Sequence, residues 1–136
     1  MADKTFHLEI VTPRKTVVSA EVESFSAPGV MGGFQVLRSH APMLASLKVG
    51  EIKVLGADGK EARYATSGGF VEVRDNKVVA LVETAERSDE IDVDRANAAK
   101  TRAEKRLAEK KLETDIDRAR AALSRAVNRL RIARRV

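Results

Sequence analysis

The chain has 136 residues, with 25 Lys or Arg against 20 Asp or Glu, two histidines and no cysteine. That length suits one ordinary domain or a small domain with an appendage, and the lack of cysteine excludes disulfides, thiolate metal sites and cysteine nucleophiles. The opening MADKTFHLEI carries no basic stretch followed by a long apolar run, and no segment approaches the roughly 20 apolar residues of a membrane span, so a soluble protein on the cytoplasmic side is expected.

Charge and composition divide the chain. Residues 1–87 are neutral on balance, residues 88–117 are net acidic, and from Arg118 onward there are seven arginines and no acid. Every glycine, proline and aromatic residue lies at or before Phe70, after which Ala, Arg, Lys and Glu dominate. These shifts predict an α+β protein, an antiparallel β-sandwich over 1–87 followed by a two-helix antiparallel hairpin over 88–136. A sandwich of this size buries only about 60% of its unfolded surface, so it folds with little stability to spare.

In chain order, FHLEI places Phe6, Leu8 and Ile10 on one face and His7 and Glu9 on the other, the period of a half-buried strand. TVVSAEVESFSA is a long β-branched run. EIKVL and EARYATS flank ADGK, where Asp58-Gly59 predicts a tight primed turn with positive φ. Asp75-Asn76 separates FVEVR from KVVALVE in a second hairpin, and the doublets Gly32-Gly33 and Gly68-Gly69 fit bulges or tight bends. Short strands at this spacing point to a sandwich or barrel.

Asp92 is placed to cap a helix beginning at Val93, and Thr114 to cap a second one, with Asp115 and Asp117 in its first turn. Ile116, Ala119, Leu123, Ala126, Leu130 and Ala133 form one apolar stripe, and Val93, Ala96, Ala99, Ala103 and Leu107 a thinner one. Alanine against alanine lets two helices lie close but buries little apolar area, and at about 25 cal/mol per Å² the pairing is weak. The hairpin is therefore expected to dock and leave.

Little here suggests catalysis. His7 sits on a polar strand face, and His40 in SHAPM suits a turn. No pair or cluster has metal-ligand spacing. Ser67 precedes Gly68-Gly69 but lacks the G-x-S-x-G context of a nucleophile turn, and no phosphate-loop or dinucleotide fingerprint occurs. The expectation is no enzyme, no catalytic residue and no metal. The arginine-rich end has three readings. A solvated helix face is the bland one. A small basic nucleic-acid-binding module is the second, opposed by the lack of an aromatic residue for stacking. The third is an anion site: Arg125 and Arg129, four apart, share a helical face, and beside the start of the first helix, with Glu86, Asp92 and Arg95, their guanidinium forks suit a phosphate chain.

Taken in order, FHLEIVTP, SHAPML, ATSGGFVEV, ETAERSDEIDVDRA and SRAVNRLRIA carry a resemblance. Over essentially its whole length the chain resembles the family of the bacterial F-type ATP synthase epsilon subunit, which includes the mitochondrial delta and chloroplast epsilon subunits. The resemblance implies a non-catalytic subunit of the central stalk of a proton-translocating ATP synthase. It implies peripheral attachment at the cytoplasmic face of the bacterial inner membrane. The implied partners are the gamma subunit and the c-subunit rotor ring for the sandwich, and the alpha/beta catalytic hexamer for a mobile regulatory hairpin; nucleic acid is not among them. Some members bind ATP through an I/L-D-x-x-R-A motif with downstream arginines. Ile91-Asp92-Val93-Asp94-Arg95-Ala96 matches that motif, Glu86 lies upstream, and Arg125 and Arg129 match the arginine pair. A regulatory Mg-ATP site is implied, with no required cofactor. The rotor-ring loop of the family usually reads G-E-L-G-I-x-P-G-H-A-P. Here Gly33 stands in place of the acid, and Gln35 and Ser39 in place of glycines. The implied contact, over Met31, Gly33, Phe34, His40 and Pro42, then rests on backbone and on apolar groups of Met31 and Phe34.

Overall fold

In the computed structural model the described residues are 4–109 and 113–134, without the side chains of residues 113 and 114. The first nine elements are strands: β1 (Phe6–Val11), β2 (Thr16–Ala27), β3 (Phe34–Val36), β4 (Met43–Leu47), β5 (Gly50–Gly56), β6 (Glu61–Thr66), β7 (Gly69–Arg74), β8 (Lys77–Val82) and β9 (Ala85–Arg87). A 3-10 turn, Ser88–Glu90, leads to α1 (Val93–Glu109) and α2 (Glu113–Ala133). The chain divides into two compact units with the boundary between Arg87 and Ser88.

The strands form one hydrogen-bonded path, β4-β7-β8-β1-β2-β5-β6-β9, with β3 on β2. The antiparallel arrangement expected holds for every pair except β1 and β8, which run parallel. Strand β2 turns the path into a sandwich: its first part pairs with β1, its last part with β5 and β3. Its register on β5 slips between Val22 and Ser24. The extra residue, Glu23, flips the side-chain alternation, so Val22 and Phe25 are both buried although three apart. Phe6, Leu8 and Ile10 from β1 pack with Phe25, Ile52, Val54, Tyr64, Val71, Val73, Val78 and Val82 in one core.

The two hairpin turns differ from each other in kind. Asp75 (φ 52°) and Asn76 (φ 58°) form a two-residue primed turn. At Asp58-Gly59 only Gly59 is left-handed (φ 82°), and its N–H donates to Gly56 O at 3.0 Å. This is a three-residue loop with a glycine bulge, not the primed turn expected. Asp58 serves it otherwise, its Oδ1 accepting from Lys60 N at 2.9 Å. At the glycine doublet, Gly69 (φ 152°) has no room for a side chain, since a Cβ would lie 2.1 Å from Leu81 O.

In the second unit, Asp92 caps α1 as expected, its Oδ1 accepting from Arg95 N at 3.1 Å. Helix α2 starts at Glu113, one residue before the expected Thr114 cap, and the Thr114 side chain lies outside the described residues. Ala96 and Ala103 are buried in α1, and Ala119 and Ala126 in α2. Each pair is spaced by two helical turns, so its members share a face. The two helices pack along one another, and these small side chains are the ones each helix buries. The stripes hold except at Val93, which is exposed because it opens the helix beside its cap. The tail of α2 also buries Asn128 (5% exposed) and Ile132 (0%) on a second face, outside the expected stripe.

Candidate functional site: the hairpin end and the sandwich loops

The start of α1 concentrates the motif residues. Ile91 and Ala96 are buried, which anchors the segment, while Asp92 and Arg95 stand exposed above them. The Asp92 carboxylate is engaged with the Arg95 backbone and sits at the positive end of the helix. Arg125 and Arg129 lie in the second half of α2, the helix that packs along α1. Arg125 is exposed, and Arg129 is half-buried with its Nε shielded from solvent. The 3-10 turn Ser88–Glu90, which leads into α1, touches α2. Glu86 is half-buried in β9, in the other unit. Arg131 donates from Nη2 to the buried Asn128 Oδ1 at 2.8 Å, so a third arginine is tied to the helix itself. A cleft of about 360 Å³ is lined by Arg106 and Glu109 from the last turn of α1 and by Asp115 and Arg118 from the first turns of α2, none of them motif residues.

In the sandwich, the loop from Pro28 to Phe34 is pinned at its base. Val30 N donates to Ser46 O at 2.8 Å, and Lys48 N to Pro28 O at 2.9 Å. Gly29 is required there, because a Cβ would lie 2.5 Å from Gly32 O. The tip holds Met31 in solvent (99% exposed), with Gly33 exposed as well. Phe34 turns inward, packing partly on the core. His40 Nδ1 lies 2.7 Å from Ala41 O, the turn-fixing role expected of it, and Pro42 is exposed. Ser67 likewise follows the end of β6, with its Oγ 2.8 Å from Thr84 Oγ1.

The sequence reading missed one surface. Phe70 (58% exposed) faces Leu81 (54%) across β7 and β8, and Leu44 is exposed on neighbouring β4. The signal was present: Val71 and Val73 point inward, so strict alternation puts Phe70 outward. Exposed apolar side chains gathered on one sheet face mark an interaction surface. Among the described residues no group of three His, Asp or Glu is disposed to hold a metal, and no helix is long and apolar enough to cross a membrane.

A sandwich with an apolar loop and face in solvent, followed by a thinly packed helical hairpin, has the character of a subunit that docks onto others. The comparisons agree. The model of the beta-sandwich domain of the ATP synthase Delta/Epsilon chain matches residues 5–88, and that of its long alpha-helix domain matches residues 89–134. The ATP synthase epsilon chain of Nitratidesulfovibrio vulgaris strain DP4 is 53% identical over 106 residues, 78% of either chain. That of Pelotomaculum thermopropionicum is 51% identical over 108 residues, 79% of this chain and 80% of its own. A chain in the cryo-EM structure of the Euglena gracilis mitochondrial ATP synthase OSCP/F1/c-ring assembly shares the fold at a TM-score of 0.79. It is 23% identical and covers 89% of this chain and 76% of its own. The chain belongs to the ATP synthase delta/epsilon chain family.

Proposed function

We propose that the chain is a non-catalytic central-stalk subunit of a proton-translocating F-type ATP synthase, linking the rotor to the catalytic head. One observation carries this reading: both units match the two domains of a single family, in order and nearly end to end. The nucleic-acid module, the other reading of the basic terminus, finds no support in those matches. As part of such a complex the chain is peripheral to the membrane, at its cytoplasmic face. The exposed Leu44, Phe70 and Leu81 face suits the gamma subunit. The Met31 loop suits the rotor ring. The arginines of α2 suit acidic loops of the alpha/beta hexamer. Purification tests the assignment: it requires a stable complex with a gamma-like partner, and a chain that elutes alone overturns it.

The hairpin is read as regulatory, and Mg-ATP as its effector. Asp92, Arg95, Arg125 and Arg129, with the buried Ile91 and Ala96 as frame, form the clamp. Guanidinium forks suit a polyphosphate, and the capped, solvent-open start of α1 supports the fit. ATP shifts the hairpin equilibrium only by its difference in affinity between the two hairpin states. Calorimetric titration of the full chain with Mg-ATP, against the double variant Arg125→Ala/Arg129→Ala, tests the clamp. Binding by the parent and none by the variant is expected; equal binding by both refutes it.

A further inference from the structure

The segment from Leu37 to Pro42 turns on Ser39, whose φ is 57°. That is the left-handed region, which a residue with a Cβ enters at a cost and keeps only when its surroundings impose it. One side chain among those surroundings bonds the Ser39 backbone directly. Asn76 Oδ1 accepts from Ser39 N at 2.7 Å, and Asn76 Nδ2 donates to Thr5 O at 3.0 Å. Thr5 is itself buried, next to the core residue Phe6. Asn76 thus ties the loop to the root of β1 from the turn between β7 and β8.

Asn76 has two separable duties. Its backbone, at φ 58°, closes the primed turn with Asp75, a duty that glycine performs equally well. Only the amide reaches Ser39 and Thr5. We propose that Asn76 is a positioning residue for the 37–42 loop, its side chain holding Ser39 left-handed so that the exposed Leu37, the half-buried His40 and the exposed Pro42 are presented in one fixed conformation. That this loop docks on a partner rests on the function proposed above; that Asn76 holds it does not.

The variant Asn76→Gly keeps the turn and deletes the amide. Hydrogen exchange by NMR on the full chain reads the hold directly. The Ser39 amide should exchange roughly five-fold faster, the loss of one net hydrogen bond, while amides of β7 and β8 keep their rates. In the assembled ATP synthase, Asn76→Gly should lower ATP-driven proton pumping per ATP hydrolysed, by no more than the roughly five-fold that one net hydrogen bond allows. Adding Ser39→Gly should restore pumping, because glycine takes this φ without a brace. A Ser39 amide that exchanges at the parent rate overturns the proposal, as does faster exchange with unchanged pumping while a Met31→Ser control pumps poorly. If Met31→Ser and Asn76→Gly both pump normally while the Ser39 amide is released, the docking reading falls and the hold of Asn76 stands.

Discussion

Lys77 Nζ lies 2.9 Å from Glu9 Oε2, across the one parallel strand pair of the sheet. The Lys77 hydrogen bond and charge hold the Glu9 carboxyl below its ordinary value of 4.5, against a small opposing effect of burial, with His7 adding to the lowering. A carboxyl depressed in the folded state contributes stability above its unfolded pKa and loses it as pH falls through the folded one. The parent should therefore lose its advantage over Glu9→Gln as pH drops below 4.5. Urea midpoints of the two proteins at several pH values check this, and a difference that does not change with pH removes the ion pair from the account.

Gly69 and Gly59 should respond unequally to a methyl group. At Gly69 a Cβ would lie 2.1 Å from Leu81 O and 2.7 Å from Val82 Cα, both backbone atoms that cannot yield cheaply. Gly69→Ala should cost about 3 kcal/mol or more. Gly59 is left-handed, but a Cβ there meets nothing within 4 Å, so Gly59→Ala should cost only about 1 kcal/mol of backbone preference. Chemical denaturation ranks them; equal costs would mean the β7–β8 approach is looser than described.

The alanine seam of the hairpin predicts intolerance to size. Ala103→Leu puts a large side chain at a position that is 2% exposed and should destabilise the hairpin by about 1–3 kcal/mol. Asp92→Ala removes the cap to Arg95 N and should cost about 1 kcal/mol. Helical circular dichroism on heating reads both. A more stable Ala103→Leu hairpin would show that the seam has room to spare.

Ile132 is fully buried, whereas Val127 on the same helix is 44% exposed. Ile132→Ala should cost about 2–4 kcal/mol, and Val127→Ala should stay within about 0.5 kcal/mol of the parent. Both are read from thermal midpoints of the helical signal, and parity between them would contradict the second buried face of α2.

Six of the nine described strands, the Asp75-Asn76 turn, the Asp92 cap and the alanine seam were legible in the sequence, because each depends on neighbours a few residues away; the shorter β3 and β9, and β4, were not read as strands. Side-chain alternation put Phe6, Leu8 and Ile10 inward, and a period near 3.6 put Ala96, Ala103, Ala119 and Ala126 on facing sides. The motif residues Ile91 to Ala96 were legible as a pattern, but not that two of them are the buried floor beneath the other two.

What only the tertiary structure decided involves partners distant in the chain. The parallel β1–β8 pair joins residues about 70 apart. The slip at Glu23 arises because β2 serves two different partners, and the burial of Asn128 and Ile132 requires a second covering surface that no helical period announces. Local periodicity determines which face of an element is apolar. Which surface meets that face, and which polar group such as the Asn76 amide bridges two loops, depends on contacts that form only when the whole chain is packed.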